Sequence, residues 1–82
     1  MKVARIHSVC ECQARLGAEL DEQRTVLRGW VRDARGRELP APANAIHSQR
    51  EHFDVGFACP ICTRNVLRSF SGSALAFREV AG

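Results

Sequence analysis

Apolar and polar residues alternate most clearly in Phe53-Asp54-Val55-Gly56-Phe57-Ala58, which runs straight into Cys59. A period of two marks a half-buried strand. Asn65-Val66-Leu67-Arg68-Ser69-Phe70 alternates less regularly and suits a returning strand, so the two segments predict a hairpin. Near the other end, Val3 to Val9 alternates loosely and is rich in β-branched residues, predicting a strand that feeds Cys10. Ser71-Gly72-Ser73 reads as a turn and Ala74–Val80 as a final strand.

The middle of the chain carries two competing periods. Leu20, Leu27, Val31 and Ala34 fall near helical spacing, and Asp21 and Glu22 sit where a helix dipole favours acids. Against this, Gly29 interrupts the segment, and Thr25-Val26-Leu27 with Trp30-Val31 suits a strand. The combined expectation is a short helical turn over Ala18–Gln23, a strand over Thr25–Arg32 and a turn at Asp33-Ala34-Arg35-Gly36. Glu38 to Asn44 holds Pro40 and Pro42 among alanines and is expected to be an extended loop. Ala45 to His52 is expected to add one helical turn or to continue that loop. The predicted class is thus a small, metal-stabilised, β-rich α+β domain, a single unit over residues 1–82.

Size explains why a metal enters that description. With 82 residues, a chain buries only about 60 % of its unfolded surface, and a metal or disulfides usually supplement the core. Cysteine supplies the means. All 4 cysteines lie in two tight pairs, Cys10-Glu11-Cys12 and Cys59-Pro60-Ile61-Cys62. Brought together, two pairs form a tetrahedral tetrathiolate, the geometry of structural zinc. In Cys-Pro-x-Cys, Pro60 presets φ for a turn that aims both sulfurs at one point. Such a turn needs a left-handed residue after its second cysteine, and Asn65 is the residue best suited to that conformation. In Cys10-x-Cys12 an extended strand would hold the side chains about 7 Å apart, too far for one metal, so the backbone is expected to turn there.

Val9-Cys10-Glu11-Cys12-Gln13-Ala14-Arg15-Leu16 resembles the first half of bacterial zinc ribbons of the type Cys-x-Cys-Gly-x-x-Leu, with Gln13 in place of Gly. Phe57-Ala58-Cys59-Pro60-Ile61-Cys62 resembles the second half. The resemblance implies a zinc-ribbon-like fold in which Cys10, Cys12, Cys59 and Cys62 hold one structural zinc ion (Zn2+). A long insertion, about residues 21–52, would then separate the two knuckles. By analogy of fold, such ribbons serve transcription or translation machinery.

Other uses of the cysteines compete with a metal site. Strand–Cys-Pro-Ile-Cys-Thr also resembles a glutaredoxin active site, in which Cys59 would be the nucleophile at a helix N-terminus. That reading leaves Cys10 and Cys12 unused and too little chain after Cys62 for a thioredoxin-like sheet. A rubredoxin-like iron centre takes the same four ligands. Two disulfides require export, and Met1–His7 has no apolar run of the secretory kind, so a cytoplasmic chain with reduced thiols is expected. No apolar stretch is long enough for a transmembrane helix. Of the histidines, His7 is the expected neighbour of the site, whereas His47 and His52 read as surface residues. Four thiolates leave no open metal position, and no phosphate loop or Ser/His/Asp motif is present, so the chain reads as non-catalytic, with no small-molecule substrate indicated.

Binding remains. The formal charge is +3, with eleven Arg and one Lys, which permits nucleic-acid binding without demanding it. Arg24, Arg28, Arg32, Arg35 and Arg37 surround Trp30, the ingredients of a single-strand platform. The alternative is that Trp30 is a core residue and the arginines pair with Asp21, Glu22, Asp33 and Glu38. Open sheet edges and the Pro40–Asn44 loop offer a docking place for a protein. The expected function is a zinc-binding module acting as a protein–protein adapter or regulator, with a nucleic-acid-binding ribbon as the alternative and a thiol redox protein as the third.

Overall fold

The alternation along the chain becomes eight strands: β1 (Lys2–Val9), β2 (Arg15–Leu20), β3 (Val26–Arg32), β4 (Glu38–Pro40), β5 (Ala43–Ile46), β6 (His52–Ala58), β7 (Asn65–Ser71) and β8 (Phe77–Glu79). A computed structural model describes residues 1–80. One sheet has the order β4-β3-β2-β1-β8 and the other β5-β6-β7, and every pairing is antiparallel. Among the described residues no helix is long and apolar enough to cross a membrane.

The α+β expectation is overturned. Among the described residues there is no α-helix, and the single helical element is a 3-10 turn at Gly72–Ala74. The helical turn expected over Ala18–Gln23 is instead the end of β2 and the start of a tight turn. In β2, Leu16, Ala18 and Leu20 are buried while Arg15, Gly17 and Glu19 lie on the opposite face. This is a period of two, obscured because Gly17 and Ala18 are too small to reveal it. Asp21, which reads as a helix-start acid, accepts the backbone N–H groups of Gln23 and Thr25 at 2.9 Å each. A side chain that satisfies its own turn in this way competes with helix formation.

The segment expected as a long insertion between the two knuckles, about residues 21–52, is built of strands. Residues 21–52 furnish β3, β4 and β5, and their Val31 and Ala41 are buried in the core. Glu38–Asn44 is no loop: β4 pairs with β3, the chain crosses at Ala41 and Pro42, and β5 joins the second sheet. Gly29 permits that crossing. A Cβ placed there would lie 2.3 Å from the Ala41 carbonyl oxygen, so the residue that interrupts the helical period is the one on which the corner packs. Ala45–His52 likewise supplies the end of β5 and a turn, with Arg50 N–H donating to the His47 carbonyl.

The inner faces of the two sheets share one core. Ile6, Leu16, Leu20 and Val31 come from the first sheet, and Phe53, Val55, Phe57 and Val66 from the second. Each fully buried side chain of this size contributes about 1.5–3 kcal/mol over its exposed state. Arg24 holds the far end together. It stands over the Phe53 ring at 5.2 Å and donates to the carbonyls of Ser48 and Arg50.

Glu51 anchors the 3-10 turn beside it. The backbone N–H of Ser73 and the Ser71 hydroxyl donate to its carboxylate at 2.8 Å each. These bonds to Ser73 and Ser71, with help from Arg24, lower its pKa to about 2 from 4.5. A depressed carboxylate stabilises the fold above its unfolded pKa and loses that effect as pH falls through the folded value. Wild type is therefore expected to melt higher than Glu51→Gln above pH 5, with the gap closing between pH 4.5 and about 2. Thermal melts of both proteins across that range check it.

Candidate metal centre

The centre is assembled from turn chemistry that the first sheet uses repeatedly. In the turn 21–25, Asp21 N–H donates to the Thr25 carbonyl and Arg24 N–H to the Asp21 carbonyl. The turn 33–37 repeats both bonds between Asp33, Gly36 and Arg37. The turn 10–14 repeats them again: Cys10 N–H to the Ala14 carbonyl at 2.9 Å, and Gln13 N–H to the Cys10 carbonyl at 2.8 Å. In all three the fourth residue is left-handed, with φ of 63° at Arg24, 80° at Gly36 and 71° at Gln13. These are three-residue hairpin loops with a left-handed residue at the bulge position. Cys10 occupies the place that Asp takes in the other two. The Cys10 sulfur replaces a carboxylate as acceptor for the Cys12 N–H, while the Ala14 N–H turns to the Cys12 sulfur, so Cys-x-Cys fits the hairpin.

The second pair sits on a turn one residue longer, between β6 and β7. Cys59 N–H donates to the Arg64 carbonyl and Thr63 N–H to the Cys59 carbonyl, both at 2.9 Å. Thr63, directly after the second cysteine, is left-handed at φ 63°. The left-handed position is thus Thr63 and not Asn65, which instead begins β7. In each knuckle it immediately follows the second cysteine.

Because β1–β2 belongs to one sheet and β6–β7 to the other, the two tips meet only through tertiary packing. Their four Sγ atoms lie within 4.8 Å of one another. Cys10 Sγ is 3.4 Å from Cys62 Sγ, and Cys12 Sγ is 3.7 Å from Cys59 Sγ. Zn–S bonds of about 2.3 Å arranged tetrahedrally give sulfur–sulfur edges of about 3.8 Å. The donor set and its size therefore fit a metal ion. Both short contacts cross between hairpins, and Arg64 of one tip pairs with Glu11 of the other. That ion pair is exposed and contributes at most about 1 kcal/mol. Cys10 and Cys59 are buried, Cys62 is half-buried and Cys12 is exposed.

The thiols differ in acidity. The backbone N–H of Cys12 favours the Cys10 thiolate and, against the cost of burial, brings its pKa down to about 7. At Cys62 the Arg64 N–H also favours the thiolate, but burial and the three neighbouring thiols push it up to about 12. Cys12 is raised as well: the Ala14 N–H favours its thiolate, but burial and the thiols of Cys10 and Cys59 outweigh it. Four adjacent thiols cannot all ionise without a cation to balance them, and a divalent ion removes that conflict.

Other expected residues fall elsewhere. His7 is not beside the sulfurs; it lies edge-on to Trp30, with ring centroids 6.3 Å apart. His47 sits in the β5–β6 turn at φ 55°, and His52 begins β6, exposed. Cys59 opens a strand-to-strand turn, so the helix of a glutaredoxin-type site does not follow it. The basic run splits. Arg28, Trp30 and Arg32 share the outer face of β3, Arg24 is tied to the β5–β6 turn, and Arg35 and Arg37 belong to the β3–β4 hairpin. Trp30 is half-buried and outside the core, because its ring lies over Gly17; a Cβ there would be 2.4 Å from the indole. No protein-family model, curated protein or solved structure matches this chain.

A non-glycine residue held left-handed costs about 1–2 kcal/mol, and more when β-branched. Thr63→Gly is expected to raise the stability of the metal-loaded protein by about 1 kcal/mol, and Gln13→Gly by less. Chemical denaturation of both variants in excess metal measures the two effects.

Proposed function

We propose that this chain is a non-catalytic binding module whose two sheets are clamped by one structural zinc ion. The observation that carries the reading is the convergence of four sulfurs from hairpins of different sheets. Cys10, Cys12, Cys59 and Cys62 would hold the ion, which supplies a cross-link and no reactive position, since four protein ligands close the coordination sphere. Zinc is preferred to iron because Cys12 is exposed to solvent, and zinc has no redox chemistry to protect. Reduced thiols suit a reducing compartment, so the proposed location is the cytoplasm.

The partner in this reading is a macromolecule met by a sheet face or edge. The grooves along the surface are open, such as the one lined by Glu22, Gln23, Arg24, Thr25, Ser48 and Gln49, and among the described residues no buried polar cluster is there to orient a small substrate. A protein adapter would use the free edges of β5 and β7 or the exposed Ile46 and Leu67 of the second sheet.

Two measurements separate this function from thiol catalysis. Single Cys→Ser changes at any of the four positions are expected to weaken zinc binding at least about 100-fold, more than loss of an outer-shell contact would. The zinc-loaded protein is expected to reduce a model disulfide no faster than Cys59→Ser does. Turnover that depends on Cys59 alone, with Cys10 and Cys12 dispensable, would favour the redox reading.

A further inference from the structure

Register places a row of unlike side chains on the outer face of the five-stranded sheet. His7, Gly17, Trp30 and Pro40 lie side by side across β1, β2, β3 and β4. On either side of that row stand Arg5, Glu19 and Arg28, and then Arg15, Arg32 and Glu38. Arg78 of β8 extends the same face beyond Val3. Five arginines therefore share this face with Glu19 and Glu38. Glu19 lies between Arg5 at 3.5 Å and Arg28 at 2.9 Å, and its side chain is 16 % exposed against 63 % and 56 % for theirs. The outer face of the second sheet offers Asn44, Ile46, Asp54, Gly56, Leu67 and Ser69, with one charge, a negative one. The positive charge of the molecule is thus concentrated on one of two outer faces.

That concentration matters more than the total. Four thiolates around Zn2+ carry a net −2, which lowers the chain's formal +3 to about +1, so only the local field can attract a polyanion. The aromatic component is also in place. Trp30 rests on Gly17 where any larger residue would displace it, and the Arg28 guanidinium stands over its ring at 4.9 Å. His7 meets the indole edge and lines an open groove with Val3, Arg5, Ala76 and Arg78.

We infer that the outer face of the five-stranded sheet binds single-stranded nucleic acid, with a base stacked on the Arg28 guanidinium that covers Trp30 and phosphates held by Arg5, Arg15 and Arg32. The inference rests on the zinc-clamped reading and names its partner. Planar guanidinium and indole groups give bases a stacking surface, and exposed arginines recognise phosphate bidentately. A base paired inside a duplex cannot reach that surface, so the single strand is the favoured form. An acidic protein would satisfy the arginines but leave the Trp30 row unused.

The test uses zinc-loaded protein whose metal content and folded state have been verified first, so that loss of the clamp and loss of binding are separate results. The probes are a labelled single-stranded 12-mer of mixed sequence, as DNA and as RNA, its duplex, and polyglutamate. Binding to the single strand is expected to quench the fluorescence of the sole tryptophan. With about three phosphate contacts, affinity is expected to fall roughly 20-fold between 50 and 200 mM salt. Trp30→Ala is expected to weaken binding about ten-fold or more. Arg15→Gln with Arg32→Gln is expected to keep the fold and cut the salt slope to about one third. Absence of quenching and of salt-sensitive binding in folded, metal-loaded protein would overturn the inference. So would duplex or polyglutamate binding equal to the single strand and indifferent to Trp30.

Discussion

Everything in this fold turns on a single join, the meeting of two hairpin tips that belong to different sheets. Each sheet buries one face against the other, but the shared core is small and made largely of Leu, Val and three-carbon or smaller side chains, with Phe53 and Phe57 as its largest members. A core of this size leaves a chain marginal. The four sulfurs stand at the end where β1–β2 and β6–β7 turn back, and a cation held among them would tie both sheets at that end. At the opposite end the corresponding link is Arg24, which grips the β5–β6 turn through two carbonyls and the Phe53 ring.

The metal-binding turns are not specialised structures. The Cys10–Ala14 loop uses the hydrogen bonds of the loops at Asp21 and Asp33, with a thiolate where those have a carboxylate. Two cysteines in one such loop supply half of the ligand set, and the other half comes from the second sheet. The longer Cys59–Arg64 turn applies the same plan with one more residue. The flanking strands hold Gln13 and Thr63 in their left-handed conformations, and bonds to a metal would fix the backbone there further.

Much of this was legible in the sequence. Strands β1, β6 and β7 follow from their alternation, β3 from its strand-favouring residues, and the cysteine set from its spacing. The turn in Cys10-Glu11-Cys12 follows from the reach of two thiols to one ion. What was hidden had physical causes. β2 alternates with Gly17 and Ala18, which carry too little side chain to mark a face, so Leu20 and Asp21 were available to a helical pattern. Gly29 looked like a break because its reason, the Ala41 carbonyl, arrives from a distant part of the chain. Trp30 read equally well as core or surface, since only the pairing of Gly17 with Trp30 shows that the indole lies on the outer face. The basic run was a coincidence of sequence in part: Arg24, Arg35 and Arg37 leave it, and Arg5, Arg15 and Arg78 join from other strands.

The central claim is that a tetrathiolate metal clamps the two sheets. Native mass spectrometry with elemental analysis, paired with near-ultraviolet circular dichroism of Trp30 and the phenylalanines before and after chelation, tests it most directly. The account predicts one zinc per chain, and loss of ordered aromatic signals when the ion is removed, restored on its return. A metal-free chain that keeps the same spectrum and the same melting temperature would contradict it.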